Sequence, residues 1–160
     1  MSDTDYPLEL FRFQVAFERV ALADGASQGA AELCNGAFSE CTGLEATMEP
    51  KVIKAGGWNY GARQRTGPVT FGTVILKRGI TATRDLWKWF SQVNEKGRYA
   101  FRLNVTIHVA QPGEDLPGKA LTIRLQRALP VKFKCADLNA RATDVSIEEL
   151  HLAHEGLILE

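Results

Sequence analysis

The protein has 160 residues, with 19 Lys and Arg residues against 19 Asp and Glu residues, and therefore no formal net charge. A chain of this length forms one ordinary domain and buries roughly 70% of its unfolded surface without help from disulfides or metals. The lack of a basic excess argues against a dedicated nucleic-acid-binding protein. Short apolar runs argue against a transmembrane helix, and three irregularly spaced cysteines argue against a secreted disulfide framework.

The first third of the chain predicts a short polar tail, residues 1–7, followed by two strands of a single domain that spans residues 1–160. In residues 8–18 apolar and polar side chains alternate, which is the pattern of a strand buried on one face. Residues 22–36 are rich in Gly and Ala and predict a connection. Residues 37–49 then predict a second, weaker strand with a bulge at the glycine in its middle, Gly43.

A long loop, residues 50–68, is predicted between the second strand and a third strand at residues 69–78. The loop has Pro at both ends, four glycines, four basic residues and no acidic residue. Loops of this length in compact domains are usually functional. Its basic residues interleave with Trp58 and Tyr60, a composition that suits an acidic protein surface or single-stranded nucleic acid. The zero net charge favours the protein surface.

One helix is predicted, at residues 82–96, because an apolar stripe from Leu86 to Val93 recurs at helical spacing. Thr81 or Thr83 is the expected N-terminal capping residue, since a hydroxyl oxygen there accepts a hydrogen bond from a free backbone N–H group.

Clear alternation returns after the helix, and residues 100–111, 120–127 and 130–137 each predict a strand. The first two of these strands have one apolar and one polar face. The polar face carries Arg102, Asn104, Thr106, His108, Thr122 and Arg124.

Residues 142–154 predict the last strand, in which the apolar positions change parity once. The change indicates either a bulge near Glu148 and Glu149 or a strand whose two halves bury opposite faces. The fold class that follows is mainly β: two packed antiparallel sheets that form a β-barrel or sandwich, with one flanking α-helix.

The sequence has no phosphate-binding glycine loop, serine-hydrolase elbow or zinc-protease motif. His151 and His154 lie three residues apart in a predicted strand, so their side chains point to opposite faces and do not chelate a metal together. Glu148, Glu149 and Glu155 have no nucleophile or histidine placed to complete an acid–base site. We therefore predict no catalytic, cofactor-binding or metal site.

Three groups of motifs follow one another along the chain. They are FSECTGLE at residues 38–45; GGWN at 56–59 with VILKRGIT at 74–81 and LWKW at 86–89; and ALPVK at 128–132 with VSIEEL at 145–150 and HEGL at 154–157. In this order they resemble the tail tube proteins of contractile phages and the inner-tube proteins of contractile injection systems, over residues 10–158. One departure is RTGP at residues 65–68, where the family commonly has Leu-Pro-Gly.

The resemblance implies a structural subunit rather than an enzyme. Such proteins form hexameric rings, and the rings stack into a hollow inner tube inside a contractile sheath, through which DNA or effector cargo passes. The implied partners are further copies of the chain, the sheath protein, and baseplate and terminator or cap proteins, with no membrane anchor. Assembly is expected in the bacterial cytoplasm, as part of a virion or a phage-tail-like particle.

Two sets of residues are the candidate assembly sites. The ring-stacking candidates lie in the long loop and are Lys51, Lys54, Gly56, Gly57, Trp58, Asn59, Tyr60, Arg63 and Arg65. The lumen-facing candidates are the polar strand residues Arg102, Asn104, Thr106, His108, Thr122 and Arg124. The basic loop is further expected to pair with the acidic C-terminal end, residues 137–160, of another copy.

Two alternatives stay open at this point. One is an Hcp-like ring protein of a type VI secretion system, which shares the implied fold. The other is a monomeric β-barrel that binds a small ligand in an apolar pocket.

Overall fold

The computed structural model of the chain describes residues 12–20, 38–80, 82–97, 101–113, 120–141 and 143–160. The predicted N-terminal tail and the connection at residues 22–36 lie outside these residues. Within them the chain forms strands and one helix. They are β1 (Arg12–Arg19), β2 (Glu40–Thr42), β3 (Ala46–Met48), β4 (Lys51–Ile53), β5 (Arg63–Arg65), β6 (Val69–Phe71), β7 (Val74–Gly79), α1 (Asp85–Asn94), β8 (Leu103–Ala110), β9 (Leu121–Lys134), β10 (Ile147–Ala153) and β11 (Gly156–Leu159).

Seven of these strands form one antiparallel sheet in the order β1-β8-β9-β10-β7-β2, with β11 also paired to β9. The 14-residue strand β9 belongs to both halves of the sheet. Its first part lies between β8 and β11, and its second part pairs with β10. The first half-sheet is thus β1-β8-β9-β11, and the second is β9-β10-β7-β2.

A bulge at Arg127 joins the two parts of β9. Arg127 has a positive φ of 50°, and its N–H group donates a hydrogen bond of 3.1 Å to the side-chain oxygen of Asn104. The register with β8 shifts by one residue here. Leu125 before the bulge and Ala128 after it are therefore both buried, although they lie three positions apart in the strand. A second register shift occurs where the other part of β9 pairs with β10, between the pairs His151–Lys132 and Leu152–Pro130. The prediction of separate strands at 120–127 and 130–137 is therefore corrected to one strand with internal irregularities.

The described residues form one hydrophobic core, to which side chains from both halves of the sheet contribute. The alternation predicted for β8 is confirmed, since Leu103, Val105 and Ile107 are buried. Helix α1 covers the core with Leu86, Trp89 and Val93, and the Trp89 ring meets the ring of Phe17 edge-on at 5.7 Å. Each such buried side chain stabilises the fold by about 1.5–3 kcal/mol through transfer from water.

The predicted fold class, mainly β with one flanking helix, is confirmed. The antiparallel layers are halves of one sheet, because β9 runs through both, and two short ladders, β3-β6 and β4-β5, accompany it. Over the described residues the sheet remains open, with β1 at one edge and β2 at the other, and no closed barrel forms.

The helix is shorter than predicted. It begins at Asp85 rather than residue 82, and its N-cap residue is Arg84, in the left-handed conformation with φ 55° and no side-chain capping hydrogen bond. Thr83 is therefore not the capping residue, and Thr81 lies outside the described residues. A turn at residues 82–83 precedes the helix and delays its start.

The predicted bulge near Glu148 is wrong, because β10 pairs without interruption with β7 from Ile147 to Leu152. The alternative, two halves that bury opposite faces, is wrong as well, since Val145 and Ile147 are 77% and 43% exposed. The buried face instead continues through Glu148. A charged residue on the buried face hid the regular period of this strand.

Glu148 is buried because it forms an ion pair with Arg78 on β7. The Arg78 Nε and Glu148 Oε1 atoms are 2.5 Å apart, and the two side chains are only 2% and 5% exposed. The guanidinium group also lies 5.6 Å from the centre of the Phe38 ring. Removing either charge of such a buried pair leaves the other in the core without this counter-charge, which is strongly destabilising.

Candidate functional site

The segment predicted as a long loop is a two-stranded hairpin. Strand β4 pairs with β5 in the register Lys51 with Arg65 and Ile53 with Arg63. Nearer to the main sheet, β3 pairs with β6. We call Ala46–Phe71 the arm. Its ladder is interrupted near Pro50 and Pro68, where proline lacks an N–H group to donate, and the Glu49 N–H donates to the Pro68 carbonyl at 3.1 Å across the gap.

Two glycines set the point at which the arm leaves the main sheet. Gly43 has φ +83°, and a Cβ atom there would lie 2.0 Å from the carbonyl oxygen of Thr73. Gly72 lies against Glu45, to whose carbonyl it donates a backbone hydrogen bond of 3.1 Å. The predicted strands 37–49 and 69–78 are therefore each divided in two, because their first parts and second parts belong to different sheets.

The base of the arm also contacts the connection between β10 and β11. The Phe71 ring lies 5.2 Å from the ring of His154. His154 in turn donates a hydrogen bond from Nδ1 to the carbonyl oxygen of Gly156 at 3.0 Å. This contact holds the base of the arm against the end of β10 in the second half-sheet. The remainder of the arm projects beyond this contact.

Beyond its base the arm is exposed, and every residue from Glu45 to Gly61 is solvent-accessible. Apolar side chains share this exposure, among them Val52 at 58% and Tyr60 at 99%. A two-stranded hairpin without further packing is at best marginally stable in water. The arm therefore carries a surface that is suited to a partner.

All nine ring-stacking candidates lie on the arm. Gly57, with φ +83°, and the hydrogen bond from the Trp58 N–H to the Ala55 carbonyl form the turn at its tip. The indole of Trp58 lies beside Gly61, where a Cβ atom would be 3.2 Å from the ring. Within the described residues, none of the four basic side chains forms an ion pair; these are Lys51, Lys54, Arg63 and Arg65.

The lumen-facing candidates lie together on the face of the first half-sheet that is turned away from the core. Thr106 is paired with Arg124, and His108 with Thr122, across β8 and β9. Four of the six candidates line a shallow cleft of about 330 Å³; they are Asn104, Thr106, His108 and Arg124. The prediction that one strand face gathers these residues agrees with the structure.

The arginines of this face form ion pairs within the chain. Arg102 and Arg127 both contact the carboxylate of Glu155, at 2.6 and 2.7 Å. Arg124 contacts the carboxylate of Glu160 at 3.2 Å. Arg102 is 27% exposed and the other groups are about half exposed, so each ion pair contributes only about 0–1 kcal/mol to stability. Their effect is on surface charge, since two glutamates offset two of the three arginine charges.

No reactive centre is evident in the described residues. Burial raises the pKa of the Cys41 thiol to about 11, so that this thiol is protonated at neutral pH and is a poor nucleophile. His151 lies 3.4 Å from the carboxylate of Glu149. The described part of the chain holds no group of three His, Cys, Asp or Glu residues arranged to bind a metal ion. Nor does it contain a helix with the length and apolar character needed to span a membrane.

Comparison with known proteins identifies the family of this chain. The family model described as T4-like virus tail tube protein gp19 matches residues 9–158. The chain belongs to this tail tube family. It is therefore a structural, non-enzymatic component of a contractile phage tail or a phage-tail-like injection system, and the resemblance seen in its motifs is confirmed. A comparison with curated proteins found no match.

Several solved structures share the fold. A chain in the cryo-EM structure of the anti-feeding prophage baseplate, six-fold symmetrised, is 25% identical with a TM-score of 0.75, over 98% of this chain and 97% of that one. A chain of the extended PVC sheath–tube complex, an extracellular contractile injection system, is 17% identical with a TM-score of 0.73, over 98% and 93%. Hcp1 from Flavobacterium johnsoniae is 9% identical with a TM-score of 0.52, over 93% and 94%.

Proposed function

We propose that this tail tube protein assembles into hexameric rings that stack into a hollow inner tube inside a contractile sheath, as a conduit for DNA or effector cargo. The observation that carries the proposal is the exposed basic arm, whose four basic side chains form no ion pair within the described residues and which exposes large apolar side chains such as Val52 and Tyr60. A contact between unlike faces of identical rings repeats without end, which is what a tube requires.

The open sheet supports formation of a ring. Within the described residues, strand β1 pairs on one side only, with β8, and leaves an edge of eight residues, while β2 pairs only with β7. Long unpaired edges are templates for uncontrolled association. Joining the half-sheets of neighbouring copies into a barrel around the ring removes these edges.

The polar face of the first half-sheet is the proposed lining of the lumen. Its arginines are already paired with Glu155 and Glu160 of the same chain. A lining of this kind presents polar groups and little net charge, so that it neither holds nor strongly repels a passing polymer. The residues proposed to face the lumen are Arg102, Asn104, Thr106, His108, Thr122 and Arg124.

The proposed partners are a sheath protein, a baseplate and a tube terminator or cap. Chains similar to this one occur in structures of the anti-feeding prophage baseplate and cap and of the PVC sheath–tube complex and terminator. Assembly in the bacterial cytoplasm, before release or action at the cell envelope, accords with this set of partners.

An Hcp-like ring of a type VI secretion system is the second candidate, because the sheet with one helix also occurs there. The similarity in fold is smaller, with a TM-score of 0.52 for Hcp1 against 0.75 for the anti-feeding prophage chain. A monomeric barrel that binds a small ligand is disfavoured by the polar lining of the shallow cleft.

Negative-stain electron microscopy of the purified protein tests the proposal. We expect six-fold rings and tubes from the complete chain, and rings without long tubes after deletion of residues 55–64, which lie at the tip of the arm. A complete chain that stays monomeric at high concentration would refute the ring. Normal tubes from the deletion variant would refute the role of the arm in stacking.

A further inference from the structure

Most acidic residues of the C-terminal end, residues 137–160, are already paired within the chain and are not available to bind the basic arm. Glu148 is buried against Arg78, and Glu149 lies against His151. The other two glutamates of this region are paired with arginines on the polar face. Among the acidic residues of this end, only Asp137 and Asp144 form no ion pair within the described residues, and both are exposed.

These two aspartates lie in the connection between β9 and β10, residues 135–146, which we call the acidic loop. Its charge is one negative unit, from two aspartates and Arg141. It also exposes two large apolar side chains, Leu138 at 87% and Val145 at 77%. The acidic loop thus combines negative charge with exposed apolar surface, and the arm combines positive charge with exposed apolar surface.

The strand register puts the arm and the acidic loop at opposite ends of the second half-sheet. The arm leaves the sheet next to Val74, at the start of β7. Strand β10 is antiparallel to β7, with Ile147 opposite Gly79 at the far end. There the Ile80 N–H donates a hydrogen bond of 3.0 Å to the Ser146 carbonyl and holds the end of the acidic loop. Five strand steps separate the two ends, or about 17 Å at about 3.4 Å per residue.

Like charges oppose each other inside the arm, since Lys51 is the cross-strand partner of Arg65. Like charges directly opposite destabilise a strand pair. Glu49 is the only acidic residue of the arm, whose four basic residues leave it with three net positive units. A negatively charged surface against the arm would remove this repulsion, and the acidic loop of the same chain is at the other end of the sheet.

We propose that the arm of one copy docks on the acidic loop of a copy in the next ring, through charge pairing with Asp137 and Asp144 and apolar contact with Leu138 and Val145. The inference rests on the proposed ring-and-tube function and names the receptor surface for stacking. Because donor and receptor lie at opposite ends of one subunit, each contact leaves a free arm and a free loop to continue the stack.

Charge reversal on each side tests this pairing. One variant reverses the acidic loop with Asp137→Lys and Asp144→Lys. The other reverses the arm with Lys51→Glu, Lys54→Glu, Arg63→Glu and Arg65→Glu. We expect each variant to form rings, seen in electron micrographs, but to raise the concentration needed for tubes by at least about tenfold at low salt. A 1:1 mixture of the two kinds of ring is expected to form tubes again, since every contact in an alternating stack then joins opposite charges.

Glu95→Lys is the matched control, because Glu95 is exposed at the end of the helix, outside both the arm and the acidic loop. It is expected to form tubes like the unaltered protein. Tubes from the loop-reversed rings alone at unchanged concentration would overturn the inference and leave the ring-and-tube function intact. Failure of the mixture to stack would also overturn it, and would point to another partner for the arm. If the unaltered chain forms no rings, the proposed function itself fails.

Discussion

Removing the carboxylate of Glu148 is expected to destabilise the fold strongly, although the residue is a glutamate on a strand. In Glu148→Ala the guanidinium of Arg78, which is 2% exposed, loses a partner 2.5 Å away and stays buried. Breaking a buried ion pair from one side costs about 3–5 kcal/mol. A folded domain has a total stability of about 5–15 kcal/mol, so the loss amounts to a large part of it.

The double variant Arg78→Met with Glu148→Leu is expected to recover most of this loss. Replacing both partners by apolar side chains removes the buried charge altogether, which is often neutral or even stabilising. The Phe38 ring, 5.6 Å from the guanidinium carbon, would then pack against an aliphatic side chain. Recovery in the double variant separates the cost of an uncompensated charge from the cost of lost packing.

Urea denaturation followed by tryptophan fluorescence measures these changes. All variants are compared at one low protein concentration, because assembly adds stability that depends on concentration. Glu149→Ala is the matched control, since Glu149 is the neighbouring residue on the opposite face of β10 and is half-buried beside His151. We expect the control to lose less than about 1 kcal/mol. If Glu148→Ala is no more destabilising than Glu149→Ala, the reasoning about the buried pair is refuted.

Two further predictions concern Gly43, at the base of the arm, and the buried thiol of Cys41. Gly43→Ala introduces a Cβ atom at φ +83° and 2.0 Å from the Thr73 carbonyl oxygen. It is expected to cost about 1–3 kcal/mol and to speed proteolysis within the arm; unchanged cleavage in a limited-proteolysis time course would contradict it. Cys41, with its pKa raised to about 11 by burial, is expected to react much more slowly with iodoacetamide at pH 8 than the exposed Cys135. Equal rates in peptide mass spectra would show that the Cys41 thiol is accessible and ionised.

The sequence was sufficient where a strand or helix packs one face on a single core. In β8 the side chains from Leu103 to Val109 alternate between buried and polar, as the period of two requires. In α1 the apolar stripe of Leu86, Trp89 and Val93 faces the core. The polar strand face was likewise predictable, because alternation that buries one parity exposes the other.

The sequence was misleading where burial depends on a distant partner. Glu148 reads as a surface residue, and only the register of β10 on β7 brings it beside Arg78, 70 positions earlier. Residues 50–68 of the arm are predicted as a loop because their prolines and glycines are typical of loops and because β4 and β5 are only three residues long. Cross-strand pairing, which no local pattern contains, turns it into a hairpin.

The sequence by itself determined that this chain is mainly β and belongs to the tail tube family, since periodicity and ordered motifs are local properties of the chain. The tertiary structure alone decided which charges are available for assembly. It pairs Glu155 and Glu160 with arginines, whereas Asp137 and Asp144 form no ion pair with any other described residue. It also separates the arm from the acidic loop by the length of β7, because antiparallel pairing returns the chain to the opposite end of the sheet.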